Sequence, residues 1–158
     1  MYNTANIDTV ARALVDLLGF FSSPQRVDLL LEEAGVVLDR ALVPLLVGIA
    51  TRGTLSVAAL ADQVGRDSTT VSRQIAKLEQ LGLIAKIPGE TDRRIRMVTL
   101  APAGEALARS VAAARQRLLA RALAAWSEDD LGDLGRLNAK FVESLARAAQ
   151  AGSEAERG

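Results

Sequence analysis

Two neighbouring groups of polar and basic side chains in the middle of the chain could contact a nucleic acid. A helical spacing of about 100° per residue places the first group on one face, with Thr69, Arg73, Ala76 and Gln80 at its centre and Thr70 and Lys77 on its flanks. Hydroxyl and ammonium groups can bind phosphates, and a guanidinium can also bind guanine through two hydrogen bonds. A polar helix face alone is equally typical of simple exposure to solvent, so the prediction of a nucleic-acid contact depends on the second group as well.

The second group follows the first by a dozen residues and is rich in arginine. Arg93, Arg94 and Arg96 occupy a polar turn and the strand-like segment after it, and Asp92 is close enough in sequence to hold one guanidinium in a fixed direction. Ordered arginines suit a narrow minor groove, where the potential of DNA is most negative. The alternative is a surface turn with incidental charges.

Net positive charge is concentrated in the segment that contains these two groups. The whole chain has 19 basic and 19 acidic residues, whereas the segment 66–96 has seven basic and four acidic residues and a net charge of +3. A neutral chain with a basic segment favours a site-selective binder of nucleic acid over a protein that coats it indiscriminately.

Two amphipathic helices should position the first group. Val57, Leu60, Ala61 and Val64 form one apolar stripe, and Val71, Ile75 and Leu78 form the next. Ser56 and Asp67 are predicted N-caps. Gly65 suits the left-handed conformation that ends the first helix, and Gly82 ends the second. The spacing predicts a helix-turn-helix with an outward polar face on its second helix.

A β-hairpin should position the second group. Residues 84–87 and 95–100 have strand-like composition, and Pro88 and Gly89 mark the turn before the polar tip. A hairpin directly after the second helix predicts a winged helix-turn-helix.

These residues resemble the multiple-antibiotic-resistance regulator (MarR) family. The resemblance lies in the runs 60–65, 68–79 and 81–84, in Asp92-Arg93-Arg94 as the wing signature, and in residues 100–104 as the exit from the wing. It extends from about Leu38 to Gly104. One departure is Ala101, where the family usually has a threonine that can cap the next helix.

The resemblance implies a mostly helical, homodimeric transcription factor that binds a pseudo-palindromic operator, often as a repressor released by a small phenolic or lipophilic ligand. It also implies which residues face DNA. On the recognition helix these are Ser68, Thr69, Thr70, Ser72, Arg73, Gln74 and Lys77. In the wing they are Asp92 and Arg94, with Arg93 and Arg96 assisting.

The segments on either side of the motif are predicted to be helices that form a dimer. Apolar stripes recur near the N-terminus (Ile7, Val10, Leu14, Leu17, Phe21), in a long Ala-rich segment (Leu107, Val111, Ala114, Leu118, Ala122) and near the C-terminus (Leu134, Leu137, Phe141, Leu145). Burial of all three stripes within one monomer is the alternative. Where the N-terminal helices meet the long helix, apolar residues such as Leu14, Leu18, Phe20 or Phe21 could line a ligand pocket, but they are more typical of plain core, and no effector residue is assigned.

Local signals predict where several of these helices begin and end. Pro24 begins a short helix that Gly35 ends, Ser127 caps the last helix, and Pro44 predicts a kink or a late start in a helix from about Asp39 to Arg52.

The predicted fold class is mainly α with a small β-hairpin wing. Its parts are N-terminal helices over 1–37, a winged helix-turn-helix over 38–104, C-terminal dimerisation helices over 105–150 and a frayed tail over 151–158.

The composition argues against several other functions. The chain has no cysteine and no histidine, which removes thiol switches, disulfides, the usual transition-metal ligands and the commonest general base. We therefore expect no enzyme activity, no metal and no cofactor. No apolar run approaches the ~20 residues of a membrane span, and the N-terminus does not have the order of a signal peptide, so a cytoplasmic location is expected.

Two other interpretations remain at this point. A winged helix can bind protein instead of DNA, which would favour an uncharged or acidic outward face. A helical protein that binds a small molecule, or a minor enzyme, would need polar residues converging on a cavity, and the sequence shows no such cluster.

Overall fold

The computed structural model describes residues 3–155 and divides the chain into two compact units, residues 1–117 and 118–158. The helices of the first unit are α1 (Thr4–Ser22), α2 (Pro24–Ala34), α3 (Val43–Arg52), α4 (Val57–Val64), α5 (Ser68–Gln80) and most of α6 (Pro102–Ala122). Its strands are β1 (Leu55–Ser56), β2 (Ile84–Pro88) and β3 (Arg96–Leu100). The second unit contains the end of α6 and helix α7 (Glu128–Ala155). The predicted fold class, mainly α with a small β wing, is confirmed.

The core of the first unit lies within the helix-turn-helix and the base of the wing. Its largest members are fully buried and come from the 3₁₀ turn Arg40–Leu42, from α3 to α5 and from the sheet: Leu42, Leu45, Ile49, Leu60, Val71, Ile75, Leu78 and Val98. The buried stripes predicted for α4 and α5 are confirmed, although Val57 and Val64 are only partly buried.

Helix boundaries in this unit follow the predicted capping residues. The Ser56 hydroxyl accepts a hydrogen bond from the Ala59 amide at 3.1 Å, and Gly65 ends α4 in the left-handed region at φ 65°. Gly35 ends α2 in the same conformation. The segment predicted from Asp39 to Arg52 begins as the 3₁₀ turn and becomes α-helical only at Val43, because Pro44 is tolerated in the first helical turn and not further inside.

The sheet has one strand more than predicted. It is antiparallel in the order β1-β3-β2, with Leu55 opposite Val98 and Ile84 opposite Leu100. Strand β1 is only two residues long, so it shows no alternation that a sequence pattern could reveal. Strand β2 lies at an edge and continues to Pro88, one residue beyond the prediction, because an edge strand tolerates a proline.

The outer helices expose much of their apolar surface. Helix α1 has no buried residue, and Val15, Leu18 and Phe21 are each at least 60% exposed. In the second unit, α7 exposes Leu137 and Leu145 by more than half. The predicted stripes of α1 and α7 therefore lie largely at the surface of their own units.

The two ends of α7 can be compared with the prediction. The Ser127 hydroxyl accepts a hydrogen bond from the Asp130 amide at 3.1 Å, as predicted for its N-cap. Helix α7 continues to Ala155, so residues 151–155 of the predicted frayed tail are helical, and residues 156–158 lie outside the described residues.

Among the glycines of the first unit, Gly104 leaves the least room for a side chain. It is buried in the first turn of α6 against the backbone of Leu83, which connects α5 to β2. A Cβ at this position would lie 2.9 Å from the Leu83 carbonyl carbon and would overlap the carbonyl oxygen. The same oxygen accepts a hydrogen bond from the Ala101 amide at 3.0 Å, so it cannot move aside freely.

We predict opposite effects for two Gly→Ala substitutions in helices. Gly104→Ala should lower the free energy of unfolding by about 1–3 kcal/mol because the new methyl group overlaps backbone atoms. Gly132→Ala in α7, where nothing lies within 4 Å of the added Cβ, should be neutral or raise it by up to about 1 kcal/mol. Urea unfolding followed by circular dichroism measures both, and equal effects of the two substitutions would contradict the prediction.

Candidate nucleic-acid interface

Helix α5 is anchored at its start by Asp67 and along one side by the core. The Asp67 carboxylate accepts hydrogen bonds from the Thr70 amide at 2.9 Å and from the Thr70 hydroxyl at 2.6 Å. These hydrogen bonds hold the pKa of Asp67 below its usual value, and the bond from the Thr70 hydroxyl has the largest effect. Val71, Ile75 and Leu78 are completely buried. The opposite side of α5 is therefore held in one direction.

The opposite side of α5 is open to solvent and not covered by the described chain. Ser68, Thr69, Ser72, Arg73, Lys77 and Gln80 are exposed. Lys77 lies 3.6 Å from the Asp39 carboxylate, but both side chains are about half exposed or more, so this pair is weak and easily exchanged. Thr70 is partly buried and is used in the cap.

Gln74 differs from the other predicted contacts on α5. Its side chain is partly buried, and its Oε1 accepts a hydrogen bond at 2.9 Å from Arg66, which lies in the turn between α4 and α5. The structure therefore places Gln74 on the flank of the helix against the protein.

The wing tip is held by backbone contacts. The Gly89 amide donates to the Ile95 carbonyl at 2.9 Å, and the Ile95 amide donates to the Asp92 carbonyl at 3.1 Å. Gly89 has no room for a side chain, since a Cβ would lie 2.6 Å from the Asp92 carbonyl oxygen. The prediction that Asp92 holds a guanidinium is wrong, because its carboxylate instead accepts a hydrogen bond from the Arg94 backbone amide at 2.9 Å.

All three wing arginines are exposed. Arg93, Arg94 and Arg96 form no ion pair with any of residues 3–155. Asp92 shapes the loop that bears them and leaves their charges uncompensated at close range. Such guanidinium groups can bind phosphates without first breaking an internal ion pair.

A groove joins the recognition helix to the wing. It has a volume of about 550 Å³ and is lined by Ser72 and Ile75 of α5 and by Lys86 and Arg96 of the wing, among others. Ser72 and Arg96 were both predicted as contacts and lie on the same groove. The groove therefore runs between one flank of α5 and the base of the wing.

Sequence reasoning assigned no role to Lys86, Glu79 or Arg66. Lys86 and Glu79 form an ion pair at 3.0 Å that joins the groove wall of β2 to α5. Their separation of seven residues crosses two elements, so no helical or strand spacing could have indicated the pair. Arg66 contributed to the prediction only through the net charge of residues 66–96.

The described residues form neither a metal site nor a membrane span. No group of three or more carboxylates lies together as a potential metal site in this part of the chain. None of the described helices is long and apolar enough to cross a lipid bilayer.

The fold and the groove define a winged helix-turn-helix protein. Residues 39–95 match the model of the MarR family, and this range contains the helix-turn-helix, the wing tip and nearly every predicted contact. These residues are therefore similar to the winged helix-turn-helix of MarR family regulators, and the resemblance predicted from the motifs is confirmed.

Individual proteins are similar to the chain in sequence or in fold. The chain is 28% identical over 114 residues, 72% of each protein, to the HTH-type transcriptional repressor MdtR of Bacillus subtilis (strain 168). Its fold is similar to that of a MarR family protein from Bacillus stearothermophilus, with a TM-score of 0.75 at 20% identity over 92% of this chain and 99% of the other. A probable transcriptional regulator from Pseudomonas aeruginosa is 27% identical, with a TM-score of 0.56 over 81% of this chain and 98% of the other.

Asp67 provides a pH-dependent test of how α5 is anchored. Asp67→Ala should lower the Tm at pH 7 by about 4 °C, because the amide and the hydroxyl of Thr70 both lose their acceptor. Since the pKa of Asp67 is lowered by folding, its contribution is complete above about pH 4 and is lost as the pH falls through the lowered value.

The difference in Tm between the wild type and Asp67→Ala should therefore narrow from pH 7 to pH 3. Thermal unfolding followed by circular dichroism measures it, with exposed Asp62→Ala in α4 as the control. A difference that stays constant down to pH 3 would show that the carboxylate does not act as the charged cap.

Proposed function

We propose that this protein is a sequence-specific regulator of transcription that binds double-stranded DNA, and that it acts as a homodimeric repressor on a pseudo-palindromic operator. The α5 residues Ser68, Thr69, Ser72 and Arg73 enter the major groove, and the wing arginines bind the adjacent minor groove. In this proposal Lys77 binds phosphate, and Thr70 and Gln74 contribute from the flanks of the helix.

One observation carries the proposal. Ser72 of α5 and Arg96 of the wing, both proposed as DNA contacts, line the same groove. A duplex that contacts one of these elements can therefore contact the other. The uncompensated positive charge of the wing favours a polyanion as the ligand.

The outward face of α5 argues against a protein-binding winged helix. Such a module would favour an uncharged or acidic surface, whereas this face presents Arg73, Lys77 and hydroxyl groups. Glu79, the single acidic residue of α5, lines the groove and is paired with Lys86. The relative named as a repressor supports the sign of regulation that we propose.

Dimerisation would double the number of DNA contacts. Two recognition helices at a spacing of about 34–36 Å would reach successive major grooves on one side of the duplex, and occupancy would block the polymerase. The exposed apolar residues of α1 and of α7 are the surfaces that we propose for the dimer. Release by a small lipophilic or phenolic ligand stays a prediction, with no pocket assigned, and the proposed role in transcription keeps the cytoplasm as the expected location.

Two arginine substitutions should affect DNA binding in different ways. Arg94→Ala should weaken binding to all duplexes and reduce the dependence of log K on log[salt] by about one, because a phosphate contact is lost. Arg73→Ala should relax discrimination at one position of each half-site by about 1–3 kcal/mol.

Gel-shift titrations on duplexes selected by the wild type, at several salt concentrations, measure both effects. Arg52→Ala, an exposed arginine at the end of α3, serves as the control. A variant that leaves affinity and base preference unchanged would remove that arginine from the interface.

The dimer surfaces can be tested by placing a charge on each. Phe21→Glu in α1 and Leu145→Glu in α7 should each shift the molar mass from twice 16.7 kDa towards 16.7 kDa, because a buried glutamate is costly at an apolar interface. Sedimentation equilibrium measures the mass. Val37→Glu, at a fully exposed apolar residue outside these helices, should remain dimeric, and a wild type of 16.7 kDa would overturn the proposed dimer.

A further inference from the structure

One ion pair connects the two walls of the groove between α5 and the wing. The Glu79 carboxylate of α5 lies 3.0 Å from the Lys86 ammonium of β2, and both residues line the groove. Glu79 is the single acidic residue of α5. The carboxylate of this groove therefore has a cation beside it, and the two charges largely cancel at a distance.

The wing carries Lys86 and Arg96 on the same face of its hairpin. Lys86 is opposite the buried Val98 in the register of β2 and β3, and Arg96 precedes Val98 by two residues, so both side chains lie on the face of Val98. Arg96 forms no ion pair with any of residues 3–155, whereas Lys86 is paired with Glu79. The two cations of the groove therefore differ in their availability to an anion.

Glu79 lies on the same stripe of α5 as a proposed DNA contact. Ser72, Ile75 and Glu79 are spaced by three and four residues and all line the groove. Seven residues of helix separate Ser72 from Glu79 by about 10 Å, which is close to the Debye length at about 0.1 M salt. Without its cation, the Glu79 carboxylate would therefore repel the phosphates of a duplex bound at Ser72.

Lys86 is held more closely than Lys77, which the proposed function assigns to phosphate. The distance to the carboxylate is 3.0 Å for Lys86 and 3.6 Å for Lys77, and their side chains are 34% and 64% exposed. Solvent weakens the more exposed pair. If Lys86 moved to a phosphate, it would also leave Glu79 unpaired beside that phosphate, and the repulsion would offset the gain.

We propose that Glu79 limits the affinity of this protein for the DNA backbone by holding Lys86 away from phosphate. Sequence-independent binding comes almost entirely from phosphate contacts, so the loss of one available cation weakens binding to unrelated DNA. Contacts to base edges do not involve Lys86. Glu79 thereby increases the share of binding that depends on base contacts. The proposal rests on the DNA binding proposed above.

The test compares Glu79→Gln and the double variant Glu79→Gln/Lys86→Met with the wild type. Glu143→Gln is the matched control, because Glu143 also forms an exposed ion pair, with Arg147 in α7, and its substitution changes the net charge equally. Each protein is titrated at several salt concentrations with a duplex selected by the wild type and with an unrelated duplex. If Glu79→Gln does not fold, as judged by circular dichroism, Glu79→Ala replaces it in every measurement.

Removal of the carboxylate should strengthen DNA binding. Glu79→Gln should bind the unrelated duplex more tightly than the wild type, and its dependence of log K on log[salt] should be steeper by about 0.9, because the released Lys86 gains a phosphate. Its advantage should shrink about threefold between about 50 and 200 mM salt. The double variant should return to the slope of the wild type, and Glu143→Gln should match the wild type throughout.

Three results would overturn the proposal. An unchanged or weaker affinity of Glu79→Gln would show that the ion pair only braces the wing. A double variant with a slope about 0.9 below that of the wild type would show that Lys86 already binds phosphate. An equal gain in Glu143→Gln would assign the effect to net charge alone.

Binding by the wild type separates this proposal from the proposed function. If the wild type binds no duplex, the proposed function fails and this proposal fails with it. If the wild type binds its selected duplex and one of the three results above is obtained, this proposal alone fails.

Discussion

The burial of one side of α5 is the constraint on which the rest of the structure depends. Val71, Ile75 and Leu78 have no exposed surface and meet the core residues of α3, α4 and the sheet. Because residues on one helix keep their angular relation, the burial of these three aliphatic side chains dictates where Thr69 and Arg73 point. The polar face is thus oriented by apolar packing on the other side of the same helix, and the cap at Asp67 determines where that helix begins.

Features that depend on neighbours in the chain could be predicted from the sequence. Three helices are capped by side chains that accept a hydrogen bond from the amide three residues ahead, namely those of Ser56, Asp67 and Ser127. Gly65 ends a helix through its own backbone conformation. The apolar stripes of α4 and α5 follow from the period of a helix. All of these signals are local, and the structure confirms them.

Features that depend on contacts between elements could not be predicted in this way. Strand β1 exists because Leu55 and Ser56 lie beside β3, more than forty residues later. Arg66 donates a hydrogen bond to the carbonyl of Ala41, and Lys86 of β2 forms an ion pair with Glu79 of α5. Asp92 was expected to hold a guanidinium from charge and proximity, but a backbone amide two residues away offers a donor that needs no long side chain to be ordered. The position of Gln74 on the protein side of α5 likewise follows from a partner that lies eight residues away and in another element.

The contact between Gly104 and Leu83 has a mechanical consequence. The carbonyl of Leu83 accepts a hydrogen bond from the Ala101 amide and abuts Gly104, and Leu83 is the third residue after the end of α5. The start of α6 and the end of the recognition helix therefore share a pivot with no slack, in which the absence of a side chain brings two backbones together. Any displacement of the first turn of α6 must therefore move the backbone of Leu83 with it, unless this contact breaks.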